Sequence, residues 1–196
     1  MSWSNGNPRV SHISSLVTCN SHVSTNLMVG SDDGCVRVWS MEPEASRDHV
    51  TGNGNVPESA ARGSQVTGWL VMPELVPQSM SSGSRVSCGL QMAWDQHTMT
   101  LIAGGDYKVR RSDHGKFLNY FSFQNLRIWD CSSELKVADI PTNLDTCVTC
   151  IQTGLGESRH VAGVSFGDGH VKVYDTRTRG CVMTVREHKQ MVLGLR

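Results

Sequence analysis

Several absences narrow the reading of this chain before any motif does. It carries no net charge, with 18 Lys plus Arg against 18 Asp plus Glu in 196 residues. No overall field therefore draws it to nucleic acid or to an anionic membrane surface. No apolar run approaches the ~18 residues that span a bilayer, so no transmembrane segment is expected. The first fifteen residues (MSWSNGNPRVSHISS) lack the basic-then-apolar order of a secretory signal. Nowhere is there the length and 3.6-residue period of a helix. Gly-x-Ser-x-Gly, phosphate-loop and His-Glu-x-x-His patterns are also missing. The residues thus offer no catalytic, cofactor-binding or metal-binding set, and the chain reads as a non-enzyme that needs no cofactor.

Cysteine is present without a pairing pattern. Cys19, Cys35, Cys88, Cys131, Cys147, Cys150 and Cys181 are odd in number and scattered. That fits free thiols in a reducing compartment. Cys147-Val-Thr-Cys150 has the spacing of half a zinc site, but no second pair follows, and two thiols on one strand is the simpler reading.

What the sequence does have is repetition. One unit contains Leu27 to Gly30, the turn Ser31-Asp32-Asp33-Gly34, and Cys35 to Trp39. Another contains His160 to Val164, the turn Gly167-Asp168-Gly169, and His170 to Tyr174. An Asp-Gly turn between alternating strands is the strongest short-range hairpin signal, because the turn needs positive φ. A middle copy has Leu90 to Trp94, a turn at Asp95 to Thr98, Met99 to Ala103, and Leu126 to Trp129. Fourth strands are read at Val66 to Leu70, Leu135 to Ile140 and Cys181 to Arg186, and Met191 to Leu195 opens a further unit. Trp129 and Tyr174 are 45 residues apart. Four antiparallel strands per ~45 residues is the period of WD-repeat propeller blades. The expected fold is all-β: a propeller fragment of about three four-stranded blades plus one opening strand. Blade 1 covers about 9–70, blade 2 about 86–140, blade 3 about 146–186, and blade 4 begins at 191–196. Propellers close with roughly four to eight blades, so the missing blades are required for ring closure.

Two segments interrupt the units. Residues 41–65 (MEPEASRDHVTGNGNVPESAARGSQ) are rich in Gly, Pro, Ser, Asn and charge, and read as a flexible loop. Residues 109–124 (VRRSDHGKFLNYFSFQ) hold four of the chain's seven Phe plus Tyr. Removing these sixteen leaves LIAGGDYKNLRIWD, a compact hairpin. Lys108-Val109-Arg110 can be encoded AAG GTA AGA and Phe123-Gln124 TTT CAG, which are splice-donor and splice-acceptor sequences. The segment is therefore read as a short retained intron or gene-model error, against the alternative of a genuine basic-aromatic loop.

The candidate residues mostly have structural roles. Asp33 and Asp168 form turns, since Asp tolerates the backbone and bonds locally. Trp39, Trp129 and Tyr174 occupy the aromatic position of the third strand and are expected to pack. Asp130 and Asp175 follow two of these aromatics, in Trp-Asp fashion. His188 starts a blade, where WD-repeats place a His hydrogen-bonded into the neighbouring hairpin. Arg177 and Arg179, in DTRTRG, lie on a turn where an acidic partner could be met.

Longer stretches carry a resemblance. VTGWLVMPELVP, GLQMAWDQHTMTLIAGGD, LRIWDCSSELKVADIPTNLDTCVTCI and VAGVSFGDGHVKVYDTRTRGCVMTVREHKQMVLGLR resemble the C-terminal propeller of the raptor family, and SDDGCVRVW resembles its first blade. The resemblance covers nearly the whole chain outside 41–65 and 109–124. It implies a scaffold or adaptor subunit of the first TOR kinase complex that presents substrates to the kinase, with a caspase-like domain and helical repeats before the propeller. It implies TOR kinase and its protein substrates as partners, and a cytoplasmic location with recruitment to the lysosomal membrane through partners. No catalytic residue of the family falls in this region. A generic WD-repeat adaptor, such as a ubiquitin-ligase substrate receptor, is the alternative.

Overall fold

The computed structural model describes residues 12–20, 25–40, 65–72, 88–105, 125–154 and 160–195. Among the described residues, twelve strands form three four-stranded antiparallel meanders. Blade 1 is β1 (Ile13–Asn20), β2 (Thr25–Ser31), β3 (Cys35–Ser40) and β4 (Gln65–Leu70). Blade 2 is β5 (Gln91–Asp95), β6 (Thr100–Gly104), β7 (Asn125–Asp130) and β8 (Leu135–Pro141). Blade 3 is β9 (Val148–Thr153), β10 (Val161–Phe166), β11 (Val171–Asp175) and β12 (Gly180–Val185). The first strands are innermost: β1 lies against β5, and β5 against β9. The three sheets form an open arc, the arrangement of a WD-repeat propeller fragment. Among the described residues no helix is long and apolar enough to cross a membrane.

Strand alternation builds the two cores. In β6, Leu101 and Ala103 face blade 1 while Ile102 faces blade 3; in β5, Met92 and Ala93 divide the same way. Successive side chains of a strand point to opposite faces, so a blade with neighbours on both sides must be apolar at nearly every position. The first core joins Cys19, Met28, Val36, Val38, Trp69, Val71 and Met72 of blade 1 to Leu90, Met92, Leu101 and Ala103 of blade 2. The second joins Ile102, Leu126, Ile128 and Ile140 of blade 2 to Val148, Ile151, Val164, Phe166 and Tyr174 of blade 3. Each fully buried large aliphatic or Phe side chain contributes about 1.5–3 kcal/mol, so the blades hold one another by these faces.

Several expected boundaries move. Met99 is not the start of a strand: it has φ 56 and lies in the turn before β6. Gln65, assigned to the loop, is the first residue of β4 and pairs with Trp39. Met191 to Leu195 forms no strand. A strand needs a ladder partner, and among the described residues none pairs with this segment. The segment is instead held by the Val192 carbonyl, which accepts from Thr149 Oγ1 at 2.6 Å.

The ladder also measures the interruption in blade 2. Val29 pairs with Arg37 and Val164 with Lys172, eight positions apart in each case. The equivalent pair, Ala103 and Arg127, is twenty-four positions apart. The surplus is sixteen residues, the length of 109–124. That segment and most of 41–65 lie outside the described residues.

Candidate interaction surface: blade junctions and rims

Asp33 organises the blade 1 hairpin. Its Oδ1 accepts from Cys35 N at 3.0 Å and from Ser31 Oγ at 2.5 Å. Arg37 Nη1 donates to Ser31 Oγ at 2.9 Å, and Arg37 Nη2 lies 3.5 Å from Asp33 Oδ2. Burial opposes the charge of Asp33, but these hydrogen bonds and the guanidinium outweigh it and hold the carboxyl below its usual range. Burial, with the Asp33 charge adding to it, pushes the Cys35 thiol up to about 11. Cys35 is therefore an inert thiol, not a nucleophile. Asp168 does the same local work in blade 3, accepting from His170 N at 3.2 Å and meeting His170 Nδ1 at 2.8 Å.

Three turns on the other rim share one geometry. Asp95, Asp130 and Asp175 each end a strand and accept the amide two residues on: His97 N at 2.9 Å, Ser132 N at 2.8 Å and Arg177 N at 2.8 Å. The residue four after each Asp has positive φ: Met99 (56), Glu134 (56) and Arg179 (59). Asp130 and Asp175 are thus turn caps as well as neighbours of the third-strand aromatic. Arg177 turns back on its own Asp175, with Nη2 to Oδ2 at 3.0 Å. This pairing, with the amide hydrogen bonds, holds the Asp175 carboxyl down at about 2. Arg177 is already satisfied in part, and Arg179 is exposed on the same turn.

The third strands place an aromatic and a cation at fixed spacing: Arg37 with Trp39, Arg127 with Trp129, and Lys172 with Tyr174. In blades 2 and 3 the pair faces the preceding blade. Trp129 meets Trp69 of blade 1 with ring centroids 6.5 Å apart. Tyr174 is buried against blade 2. The cations reach across the same junctions. Arg127 Nη1 donates to the Val71 carbonyl at 2.8 Å, and Lys172 Nζ to the Thr142 carbonyl at 2.7 Å. Val71 and Thr142 are each the first residue after a fourth strand. Arg127 also bonds Asp139 at 2.8 Å, and Asp139 takes Lys136 at 2.8 Å. Burial opposes the Asp139 charge, but these two cations hold its carboxyl below the usual range.

Blade 1 presents the same face, and among the described residues no blade packs against it. Arg37 folds onto its own hairpin and its side chain is 35% exposed, against 8% for Arg127. Trp39 is only half-buried. Leu16 (60%), Val66 (61%) and Leu70 (46%) are exposed on the same side of the sheet. This open sheet face is apolar around one cation, as are the two internal junctions.

His188 departs from expectation. Its ring is exposed and makes no hydrogen bond among the described residues. The contact with the hairpin is made by its backbone: a Cβ at Gly169 (φ 93) would sit 2.1 Å from the His188 carbonyl oxygen. The expected ring-to-hairpin bond exists in blade 1, at a residue the sequence reading did not single out. His12 Nδ1 lies 3.1 Å from Asp32 Oδ2, and His12 N donates to Asp32 Oδ1 at 2.9 Å. Its signal was available, since His12 stands before the first strand as His188 stands after the last. The shared position of Arg37, Arg127 and Lys172, two residues before each third-strand aromatic, was legible in the sequence, but only Arg127 and Lys172 reach across a junction. Among the described residues no group of three or more His, Cys, Asp or Glu side chains is placed to hold a metal ion.

No family model matches the chain. It is 26% identical over 196 residues to the protein raptor homolog of Dictyostelium discoideum, covering 98% of this chain and 11% of that protein. It is 28% identical to the target of rapamycin complex 1 subunit KOG1 of Saccharomyces cerevisiae, over 89% of this chain and 9% of that protein. With the target of rapamycin complex 1 subunit mip1 of Schizosaccharomyces pombe the identity is 29%, over 77% of this chain and 8% of that protein. The chain thus spans about a tenth of the length of these relatives. Among solved structures it superposes on Chaetomium thermophilum Raptor with a TM-score of 0.62 at 22% identity, covering 96% of this chain and 14% of that one. A chain of the mitotic checkpoint complex gives 0.53 at 15% identity, over 89% and 39%. The chain is therefore similar over most of its length to a segment of the raptor, KOG1 and mip1 proteins, as its sequence motifs implied, and it folds as part of a WD-repeat propeller.

Proposed function

We propose that this chain is part of a non-catalytic scaffold of the first TOR kinase complex, one that helps present protein substrates to the kinase. The observation that carries the reading is the similarity, over 77–98% of the chain, to three proteins named as raptor or as TOR complex 1 subunits. The site chemistry is consistent with binding: carboxylates are consumed in turns, cations in blade junctions, and the exposed groups lie on rims and on one open sheet face. In the same reading the open face of blade 1 receives another blade of the same ring, because its aromatic and cation repeat the two internal junctions. The protein works in the cytoplasm and reaches the lysosomal membrane only through its partners.

The test is a segment exchange. The matching stretch of yeast KOG1 is replaced by these 196 residues, with and without 109–124, beside a deletion of the stretch. Kinase should co-purify with the 180-residue exchange to at least half the native level, and substrate phosphorylation should follow. A folded hybrid that loses the kinase as completely as the deletion overturns the proposal. Recovery of ubiquitin-ligase subunits in place of the kinase would replace it with the adaptor alternative.

A further inference from the structure

The inner rim of the arc, where the first strands begin, carries a pair of thiols that the binding role does not use. Cys88 precedes β5 and Cys147 precedes β9, so they belong to adjacent blades. Their sulfurs are 3.3 Å apart across 59 residues of sequence, and both side chains are half-buried. Nearby atoms fix the pair from both sides. On the blade 3 side, a Cβ at Gly167 would sit 2.7 Å from Cys147 Sγ, so the glycine leaves the room that the thiol fills. Gly167 N in turn donates to the Cys147 carbonyl at 2.9 Å. On the blade 2 side, Gln91 Nε2 donates to the Cys88 carbonyl at 2.6 Å and also to Ser14 O of blade 1 at 3.3 Å. Gly89 (φ 64) packs against Ser14, where a Cβ would meet Ser14 Cβ at 2.5 Å. Ser14 Oγ and Ser15 Oγ donate to the Leu90 carbonyl at 2.8 and 2.7 Å. Segment 88–91 is therefore the point where all three blades touch, and the thiol pair lies on it.

We propose that Cys88 and Cys147 form an oxidisable dithiol, a covalent modification site that hydrogen peroxide converts to an inter-blade disulfide. Closing the sulfurs from 3.3 Å to the ~2.05 Å of a disulfide needs a movement of ~1.2 Å. The Cys88 or Cys147 thiolate attacks the peroxide, the O–O bond breaks, and a sulfenic acid and one water form. The second thiol attacks that sulfur, an S–S bond replaces the S–OH bond, and the oxygen leaves as a second water. Two electrons pass from the thiols to the peroxide, and the two thiol protons end in the two waters. The product clamps blades 2 and 3 at the rim where blade 1 also docks. Partial exposure admits a molecule as small as hydrogen peroxide, whereas Cys19 and Cys35 are buried away from it. The site stands apart from the TOR reading and tests separately from it.

The experiment treats the reduced 196-residue chain with hydrogen peroxide and maps linkages by non-reducing tryptic mass spectrometry. The expected product joins the peptide beginning at Val86 to the one beginning at Val137, 2 Da below the sum of the reduced peptides. That second peptide also contains Cys150. The link should therefore survive Cys150→Ser and vanish in Cys88→Ser and Cys147→Ser. It should exceed every other pairing about tenfold in native buffer and lose that preference in guanidinium chloride, a readout that needs no variant to fold. The melting temperature should rise by about 5 °C on oxidation. A linkage no more abundant than other pairs, or one equally abundant in denaturant, overturns the proposal. So does oxidation of both residues to unlinked sulfinic acids.

Discussion

Glu134 and Arg179 hold a backbone that L-residues rarely adopt, with φ near 56 and 59. A left-handed conformation costs a non-glycine residue roughly 1–2 kcal/mol, while glycine adds about 0.4–1 kcal/mol of unfolded-state entropy. Glu134→Gly is therefore expected to stabilise the chain by about 0.5 kcal/mol, and Glu134→Val to destabilise it by ~1 kcal/mol or more, since a branched Cβ is least tolerant of this region. The urea midpoint reads both, and a loss of stability in the glycine variant would show that the turn is held by something other than its backbone. The sequence displayed the Asp that caps each of these turns. It did not display the strained residue four positions later, because Met99, Glu134 and Arg179 share no side-chain property. Only the dihedral angles unite them.

At the scale of the element, the third strand is where local pattern and packing meet. Arg127 is almost buried, yet it bonds both Asp139 and the Val71 carbonyl across the junction. Arg127→Ala leaves a partly buried carboxylate and a buried carbonyl without their donor, a loss of about 2–3 kcal/mol once the remaining Lys136 contact and the exposure of Asp139 are allowed for. Arg37→Ala, at the same strand position but on the open face, should cost about 0.5 kcal/mol. Equal losses at the two positions, measured by denaturant unfolding, would contradict the cross-blade assignment. The same network has a pH signature. The folded-state carboxyl of Asp139 is depressed by Arg127 and Lys136. Its contribution is therefore present above the unfolded value of about 3.9 and is lost as pH falls below that value toward the folded one. Asp139→Asn should flatten the acid limb of the stability profile below about pH 4 and leave its shape near pH 7 unchanged. An acid limb identical to wild type would remove Asp139 from the account.

The whole molecule is an arc with two apolar ends. Leu16, Val66 and Leu70 are exposed on the blade 1 face, and Val182 and Met183 on the outer strand of blade 3. Exposed contiguous apolar surface of this kind marks an interface or drives association. The isolated chain is expected to self-associate through these faces, so that its unfolding midpoint rises with concentration. Leu16→Lys combined with Val66→Lys should raise the monomeric fraction several-fold in light scattering after size exclusion. A monodisperse wild-type monomer whose unfolding midpoint does not change with concentration would refute this. The sixteen-residue surplus in blade 2 belongs to the same scale. It does not disturb the pairing of Ala103 with Arg127, so the hairpin closes with the register of its siblings around it.

The sequence by itself determined the blades. Alternating apolar positions, Asp-centred turns and a 45-residue period are local properties, and local sterics and burial convert them directly into four-stranded meanders. Longer specific stretches such as LRIWDCSSELKVADIPTNLDTCVTCI, and not these generic patterns, carried the resemblance to the raptor family. Tertiary structure alone decided which face of each strand meets which neighbour, because alternation is symmetric and does not say which side is occupied. It also decided that Arg127 and Lys172 end on the backbone of the preceding blade while Arg37 does not. His12, not His188, makes the ring contact with a hairpin, since that bond depends on how the chain enters the sheet. Cys88 and Cys147 are far apart in sequence, and no spacing rule joins them. They meet because β5 and β9 start side by side at the rim, a consequence of stacking blades rather than of any residue near either thiol.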